Sequence, residues 1–267
     1  MLTLIAARGR LAATFTLMVC LPAMAQTETP TADELTRCAR ANAPQETFKQ
    51  HAELETVRAD GDSRTLYIRL LARKSRDGVD ANLRVLNPPD LSGMSFLVLA
   101  DADEGDAMFT FVPALNRSRR VTGNASSQSL WGTDFTYADV RQLLGTVGGG
   151  TATRRADSSY RGTPVHVLDL TPAEQTEIDY ARIVMALEPT HCVPVHVQFL
   201  SESDAVIREL EVDPESIEQA GERHFARRMT MYNRQTQSRT RVELSRVEFD
   251  ETIPRRAFHP RGYESVD

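Results

Sequence analysis

Hydrophobic and polar positions alternate along most of the chain from Phe48 onward, in short runs that turn residues separate. A period of two is typical of strands with one buried face, and short connections favour antiparallel pairing. In the run at 64–74 the apolar residues share one predicted face: Leu66, Ile68, Leu70 and Ala72. The pattern predicts about eleven strands, at residues 53–58, 64–74, 79–86, 94–100, 108–111, 165–170, 181–187, 193–200, 205–212, 224–232 and 240–249.

A short amphipathic helix is predicted over residues 31–43, ahead of the strands. Thr31 precedes Glu34 by three positions, which is the spacing of a capping box, and Pro44 cannot continue the helix. Cys38 falls on the apolar stripe of this helix, where we expect it to be buried.

The middle of the chain combines a strand, a basic strand and a loop. Pro113 ends or edges the first strand because it has no N–H to donate to a neighbour. Residues 117–121 resume an extended pattern with three arginines. The small polar residues at 122–129 predict a mobile loop that delivers Leu130 and Trp131, the only tryptophan.

A second short helix is predicted over residues 137–144, with Thr133 or Asp134 as its cap. The proline-rich break at 88–93 predicts one further helical turn. Residues 145–159 begin with a glycine-rich run and are polar, which predicts a flexible surface segment without strands.

Three sequence blocks in this middle region carry a family resemblance: VPAL at 112–115, RSRRV at 117–121 and SLWGTDFTYADV at 129–140. With these blocks the chain resembles the outer-membrane lipoprotein-sorting protein family, a LolA-like group of bacterial envelope proteins. The resemblance implies an unclosed antiparallel barrel with helices in its mouth, which holds an acyl chain or a similar apolar ligand.

The resemblance and the alternating pattern together predict a mainly β (α+β) fold. We expect a single highly curved antiparallel sheet of about eleven strands that forms an unclosed β-barrel, with two or three helices in its mouth. Because the alternation restarts after the glycine-rich run, residues 26–267 are predicted to be one LolA-like half-barrel domain.

The first 25 residues read as a signal peptide. Arg8 and Arg10 form a positive region, residues 11–21 are apolar but short for a membrane span, and residues 23–25 form a small-x-small cleavage site. The sequence therefore predicts export to the periplasm with cleavage after Ala25.

Net charge argues against one class of partner. The formal charge of −6 becomes −8 after cleavage, because the removed segment carries two arginines and no acidic residue. An acidic chain is poorly suited to neutralising phosphates, so no nucleic-acid partner is predicted.

Two cysteines remain after the predicted cleavage, Cys38 and Cys192. In an oxidising compartment an isolated pair favours a disulfide, while two separate buried thiols are the alternative. The bridge would link the first helix to the second half of the sheet. Such a bond is not part of the general carrier pattern.

The predicted ligand site is aromatic and apolar with a basic rim. Candidate lining residues are Phe96, Phe109, Phe111, Leu130, Trp131, Phe135 and Tyr137. Trp131 can be an ordinary core aromatic or can line an entrance. The basic residues Arg117, Arg119 and Arg120 can form a solvated strand face or a positive rim at the cavity mouth.

Catalytic and cofactor motifs do not appear in the sequence. It has neither a G-x-S-x-G elbow nor a phosphate-binding G-x-x-x-x-G-K run. Strand alternation places His191 on the opposite face from Cys192 and His196, so the three do not converge on a metal. We therefore predict a non-enzyme without catalytic residues, cofactor or metal.

Two functions remain open at this level. The resemblance implies a periplasmic carrier or chaperone that binds a lipid, a lipoprotein acyl chain or a similar hydrophobic ligand in the concave face of the sheet. Family members often accompany inner-membrane exporters of the resistance–nodulation–division type. The alternative is a non-carrier accessory module of an envelope complex, with a packed interior. A monomer is expected.

Overall fold

The computed structural model describes residues 29–101, 106–144, 150–172, 178–250 and 252–266. The predicted signal peptide at 1–25 lies outside the described residues, as does the glycine-rich run at 145–149. Within the described ranges, no helix combines the length and the hydropathy needed to cross a membrane.

The described residues form two α-helices and seventeen β-strands. The helices are α1 (Ala32–Ala41) and α2 (Tyr137–Leu143). The strands are β1 (Phe48–Val57), β2 (Ser63–Lys74), β3 (Val79–Asn87), β4 (Ser95–Leu99), β5 (Ala107–Val112), β6 (Arg117–Val121), β7 (Gly150–Arg154), β8 (Ser158–Tyr160), β9 (Thr163–Pro172), β10 (Arg182–Leu187), β11 (Pro194–Leu200), β12 (Val206–Val212), β13 (Ile217–Ala220), β14 (Arg223–Ala226), β15 (Arg228–Asn233), β16 (Ser238–Leu244) and β17 (Glu248–Phe249). Short 3-10 turns lie at Pro113–Leu115, Gly123–Ala125, Pro214–Ser216, Arg255–Phe258 and Tyr263–Ser265.

One antiparallel sheet contains fifteen of these strands, and β13 and β14 form a separate hairpin. The order is β6-β5-β4-β3-β2-β1-β16-β15-β12-β11-β10-β9-β7, with β17 added to β1 and β8 added to β9. Two meanders thus meet at a seam where β1 pairs with β16. Among the described strands, β6 and β7 end the order without pairing to each other, so the barrel is unclosed.

Strand alternation directs one face of the sheet inward. On β2, the side chains of Leu66, Ile68 and Ala72 are buried in the main core, which confirms the predicted face. Leu71, from the other parity, belongs to a separate cluster on the convex side.

A C-terminal segment covers the convex side of β2 and β3. Asn82 donates from Nδ2 to the carbonyl oxygens of Ala257 and Tyr263, at 2.9 and 3.0 Å. Arg69 donates from Nη2 to the carbonyl oxygen of Val266 at 2.6 Å. The apolar contacts beneath this segment come from Leu71, Ala257, Phe258 and Val266. This face of the sheet is therefore closed by the chain itself.

The predicted class is confirmed, but the expected count of about eleven strands was too low. β7 and β8 lie where a flexible segment was predicted, and both pair with β9. Their side chains are mostly exposed, so backbone pairing holds them without the alternation that marks a strand in sequence. The run at 224–232 is also divided, since β14 pairs with β13 while β15 joins the main sheet.

The N-cap of helix α2 is neither Thr133 nor Asp134, the two residues that the sequence predicts. Thr136 is the N-cap and forms a capping box with Asp139. Thr133 instead donates its hydroxyl to the carbonyl oxygen of Leu130 at 2.8 Å, and Asp134 accepts from strand β16. The segment at 88–93 forms turns, so the described residues contain two α-helices rather than three.

Candidate functional site

A cavity of about 530 Å³ lies on the concave side of the sheet. Its lining comes from β1–β3 in one half of the sheet, from β7, β9–β12, β15 and β16 in the other, from β14 of the separate hairpin, and from both helices. Leu83 on β3 and Leu168 on β9 are far apart in the strand order yet line the same space, so the sheet is strongly curled. Ligand sites are typically roughly 300–1,000 Å³ in volume.

The wall of this cavity consists largely of hydrocarbon. Aliphatic residues from five strands contribute to it: Ala52, Leu54, Ile68, Val197, Leu210 and Val242. Met185 and Met229 add flexible thioethers, which adapt to irregular apolar shapes. Such a wall gains about 25 cal/mol for each Å² of apolar ligand surface that it removes from water.

Helix α1 is fixed beside the cavity by its cap and by a disulfide. Thr31 Oγ1 accepts from the Glu34 N–H at 3.2 Å, and Glu34 Oε2 accepts from the Thr31 N–H at 2.8 Å, so the predicted capping box is confirmed. Cys38 is bonded to Cys192 in the turn between β10 and β11, as predicted. Leu35 packs in the same buried cluster as Cys192.

The residue that follows α1, Asn42, joins the turn between β10 and β11 to strand β14 at the cavity edge. Asn42 Nδ2 donates to the carbonyl oxygen of His191 at 2.7 Å, and Asn42 Oδ1 accepts from the His224 N–H at 2.9 Å. The two imidazole rings stack with centroids 3.7 Å apart. Because Asn42 and His224 both line the cavity, these contacts define its edge at the end of α1.

Helix α2 is held to the sheet by a buried ionic network. Arg208 on β12 donates from Nη1 and Nη2 to Asp179 at 2.8 and 2.6 Å, and its Nε lies 3.1 Å from Asp139 Oδ2 without hydrogen-bond alignment. Burial raises the pKa of the Asp139 carboxyl, and the charge of Arg208 opposes that rise. Burial acts to lower the pKa of Arg208, but the two carboxylates outweigh it and raise it. The network positions Val140 in the lining.

The loop at 129–136 is tied to β16, in contrast to the mobile loop that the sequence predicts. Asp134 Oδ2 accepts from the Thr240 hydroxyl at 2.8 Å, and the same hydroxyl accepts from the Asp134 N–H at 2.9 Å. Ser238 also donates its hydroxyl to Asp134. Trp131 is 7% exposed and belongs to the main core. Buried hydrogen bonds and core packing therefore hold this loop in place.

The structure places the predicted lining residues in different surroundings. Leu130 and Phe135 line the cavity. Phe96 and Tyr137 pack edge to face in the main core, with ring centroids 4.8 Å apart, and lie outside the lining. Trp131 faces a small surface pocket beside the cavity lining. A ligand-binding role for these residues stays a prediction.

Phe109 and Phe111 lie on the convex side of β5. Phe111 is opposite Ser118 of β6, and side chains directly opposite each other in an antiparallel pair share a face. Ser118 Oγ lies 3.0 Å from the Tyr263 hydroxyl in the C-terminal segment, which identifies that face as the convex one. Phe109 shares the parity of Phe111, so both rings are directed away from the cavity.

The three arginines predicted as a rim lie on β6, at one end of the sheet order. Arg117, Arg119 and Arg120 are exposed, and none of them lines the cavity. Among the described residues, no carboxylate forms a salt bridge with any of the three. All three side chains are exposed to solvent, and a role for them as a positive rim stays a prediction.

Arg223 on β14 lines the cavity and was not predicted from the sequence. Its guanidinium carbon lies 4.8 Å from the Phe48 ring centroid and 4.9 Å from that of Phe225. The Nε and Nη1 atoms are buried and have no hydrogen-bond partner among the described residues. Burial lowers the pKa of the Arg223 guanidinium to about 10. No local sequence signal marks it, because the tetrapeptide Arg223–Ala226 reads as an ordinary strand.

Comparison with family models places the chain in one family. The model of a family described as "-like: Uncharacterized protein" matches residues 78–264, which is more than half of the chain. The chain therefore belongs to that family. No curated protein matches it.

Solved structures give the same fold. The chain is similar to a domain described as an outer membrane lipoprotein-sorting protein from Vibrio parahaemolyticus, with 22% identity, 86% of this chain and 97% of that chain covered, and a TM-score of 0.78. A DUF1329 family protein from Desulfovibrio piger has 16% identity and a TM-score of 0.77, with 90% of this chain and 100% of that chain covered. A LolA superfamily protein from Nitrosomonas europaea has 15% identity and a TM-score of 0.68, with 86% of this chain and 98% of that chain covered. The LolA-like resemblance is thus confirmed at the level of the fold.

Proposed function

We propose that this protein is a periplasmic carrier that binds a lipid, a lipoprotein acyl chain or a similar hydrophobic ligand in the cavity. The supporting observation is the cavity itself, about 530 Å³ enclosed by a curled sheet and two helices and lined mainly by hydrocarbon. An apolar space of this size gains stability when an apolar guest removes its surface from water.

The way in which the helices are attached supports a preformed site. Helix α1 is covalently joined to the turn before β11, and α2 is ion-paired to β12. Both helices contribute lining residues, such as Ala39 and Val140. A preformed cavity loses little conformational freedom on binding, which favours affinity for a small apolar guest.

The compartment and the partner belong to the same proposal. Residues 1–25 have the pattern of a signal peptide, and a disulfide fits an oxidising compartment such as the periplasm. An inner-membrane exporter of the resistance–nodulation–division type is the partner that the family resemblance implies. Hydrophobic cargo would pass between that exporter and the cavity.

Native mass spectrometry after gentle extraction tests the carrier function. We expect adducts of lipid size on the purified protein and saturable uptake of a fluorescent fatty acid, with unlabelled fatty acid as competitor. Apo-only mass together with no uptake would reject the carrier.

The alternative function is a docking module of an envelope complex. The exposed arginines Arg117, Arg119 and Arg120 on β6 favour it, because a basic edge can meet an acidic partner. Such a module needs no internal space, and the cavity therefore counts against it. Under this alternative, Arg119→Glu would abolish assembly in the envelope. Native mass spectrometry would show the variant and the unmodified protein both without ligand adducts, and their stabilities would be equal.

A further inference from the structure

Arg223 differs from Arg208 and Arg227 in having no acidic partner among the described residues. Arg208, for comparison, is paired with two carboxylates, and Arg227 is paired with Glu218 and Glu243. Among the described residues, no acidic side chain forms a salt bridge with Arg223. Burial is the one cause of its lowered pKa, so no nearby carboxylate offsets the loss of water.

A buried cation without a partner is costly. Removing a charged group from water carries a penalty that an opposite charge or several hydrogen bonds must offset. The faces of Phe48 and Phe225 attract the guanidinium, but aromatic rings accept no conventional hydrogen bond. The donors at Nε and Nη1 therefore remain unsatisfied, although they lie in the wall of an apolar cavity.

The charges around the cavity favour an anion over a cation. Among the described residues that line it, the acidic side chains are limited to Asp33 on α1. Basic side chains are contributed by Arg40 and Arg223, and the neutral donor Asn42 lies near the same end. The remaining wall is hydrocarbon, so a fully polar anion would leave most of the cavity without a matching surface.

We propose that Arg223 binds the negatively charged head of an amphiphilic ligand, a carboxylate or a phosphate, whose hydrocarbon chain lies along the apolar wall. This inference rests on the proposed carrier function and narrows its ligand to an anionic amphiphile. A planar guanidinium suits both head groups because its N–H donors form paired hydrogen bonds to two oxygens.

The test compares ligands that share one tail and differ in the head. Hexadecanoate, hexadecyl phosphate and hexadecanol are each titrated below their aggregation concentrations against the full-length purified protein, with displacement of the neutral dye N-phenyl-1-naphthylamine as the signal. We expect at least one anionic ligand to bind about tenfold more tightly than hexadecanol, which corresponds to about 1.4 kcal/mol. The ranking of carboxylate against phosphate identifies the natural head group.

Substitutions assign the preference to one residue. Arg223→Gln is expected to remove the anion preference while hexadecanol still binds, and Arg223→Lys is expected to keep part of it because the charge remains. Arg119→Gln is the matched control, since it removes an equal charge from exposed strand β6. It should leave the preference unchanged.

Each outcome has a distinct meaning. Equal binding of hexadecanol and both anions by the unmodified protein would overturn the role of Arg223 and leave the carrier function standing. An anion preference that survives in Arg223→Gln would overturn it as well. If none of the three ligands displaces the dye and no lipid adduct is found, the carrier function itself fails.

Discussion

The two faces of the sheet differ in how their apolar side chains are covered. On the convex side, the C-terminal segment lies over β2 and β3 and buries Leu71 beneath Phe258 and Val266. On the concave side, two helices cover the opening and leave about 530 Å³ between themselves and the strands. Both faces belong to the same strands, so the difference comes from what the rest of the chain places on each.

This contrast separates residues that stabilise the fold from residues that can bind. A side chain on the convex face is surrounded by the chain itself, and its loss creates a cavity or an unpaired group. A side chain on the concave wall borders space that a guest can occupy. Substitutions on the two faces should therefore affect different measurements.

The largest expected effect is on the convex face. Tyr263 is fully buried, and its hydroxyl lies 3.0 Å from Ser118 Oγ. We expect Tyr263→Ala to lower the free energy of unfolding by about 3–5 kcal/mol, as measured by denaturant titration. The fluorescent fatty acid should bind the remaining folded protein with unchanged affinity.

Tyr263→Phe is the control for this substitution, since it removes only the hydroxyl group and should cost about 0.5–1.5 kcal/mol. A loss of ligand affinity in Tyr263→Ala that exceeds the loss of folded protein would show that the two faces are coupled.

Two alanines of the concave side give an intermediate effect. Ala52 lines the cavity, whereas Ala72 lies on the neighbouring strand in fully packed core. Ala52→Phe should leave the melting temperature nearly unchanged and abolish uptake, because the added ring enters the ligand space. Ala72→Phe should cost about 1–3 kcal/mol through overpacking.

Calorimetric melting and the fatty-acid titration measure both variants side by side. Equal destabilisation of the two variants would mean that Ala52 faces packed protein and that the cavity is not available to a guest.

The smallest expected effect is a pH dependence on the convex side of β11 and β12. Glu209 Oε1 lies 2.6 Å from His196 Nε2, and Arg234 is ion-paired to the same carboxylate. Partial burial acts to raise the pKa of Glu209, but hydrogen bonds from Arg234 and His196 outweigh it and lower the pKa below the ordinary 4.5.

A lowered carboxyl pKa contributes stability that is present above 4.5 and lost as the pH falls through the folded-state value. Thermal melts from neutral pH down to acidic pH should therefore show a smaller acid-induced decrease for Glu209→Gln than for the unmodified protein. An identical decrease would remove Glu209 from the acid response.

The concave face could be predicted because the spacing of apolar residues within a single strand determines which side chains are buried. Leu66, Ile68 and Ala72 repeat with a period of two, and the structure buries all three in one core. The capping box at Thr31 and the bond between Cys38 and Cys192 also follow from residue type and compartment.

Other features depend on contacts that no local pattern records. β7 is polar and exposed, and it is a strand only because β9 offers a free edge beside it. Arg223 has no carboxylate partner among the residues that the structure describes, and such a lack leaves no trace in the neighbouring sequence positions. Phe111 has the expected alternation, but the face that becomes concave is decided by the whole sheet.

The seam between β1 and β16 has a consequence for biosynthesis. Thr56 and Thr240 share a buried hydrogen bond across it although they are 184 positions apart in the chain. β1 is synthesised long before β16, so its backbone groups on that edge stay unpaired until almost the whole chain has been made. We expect a newly synthesised chain to depend on holding factors until β16 is available to pair with β1.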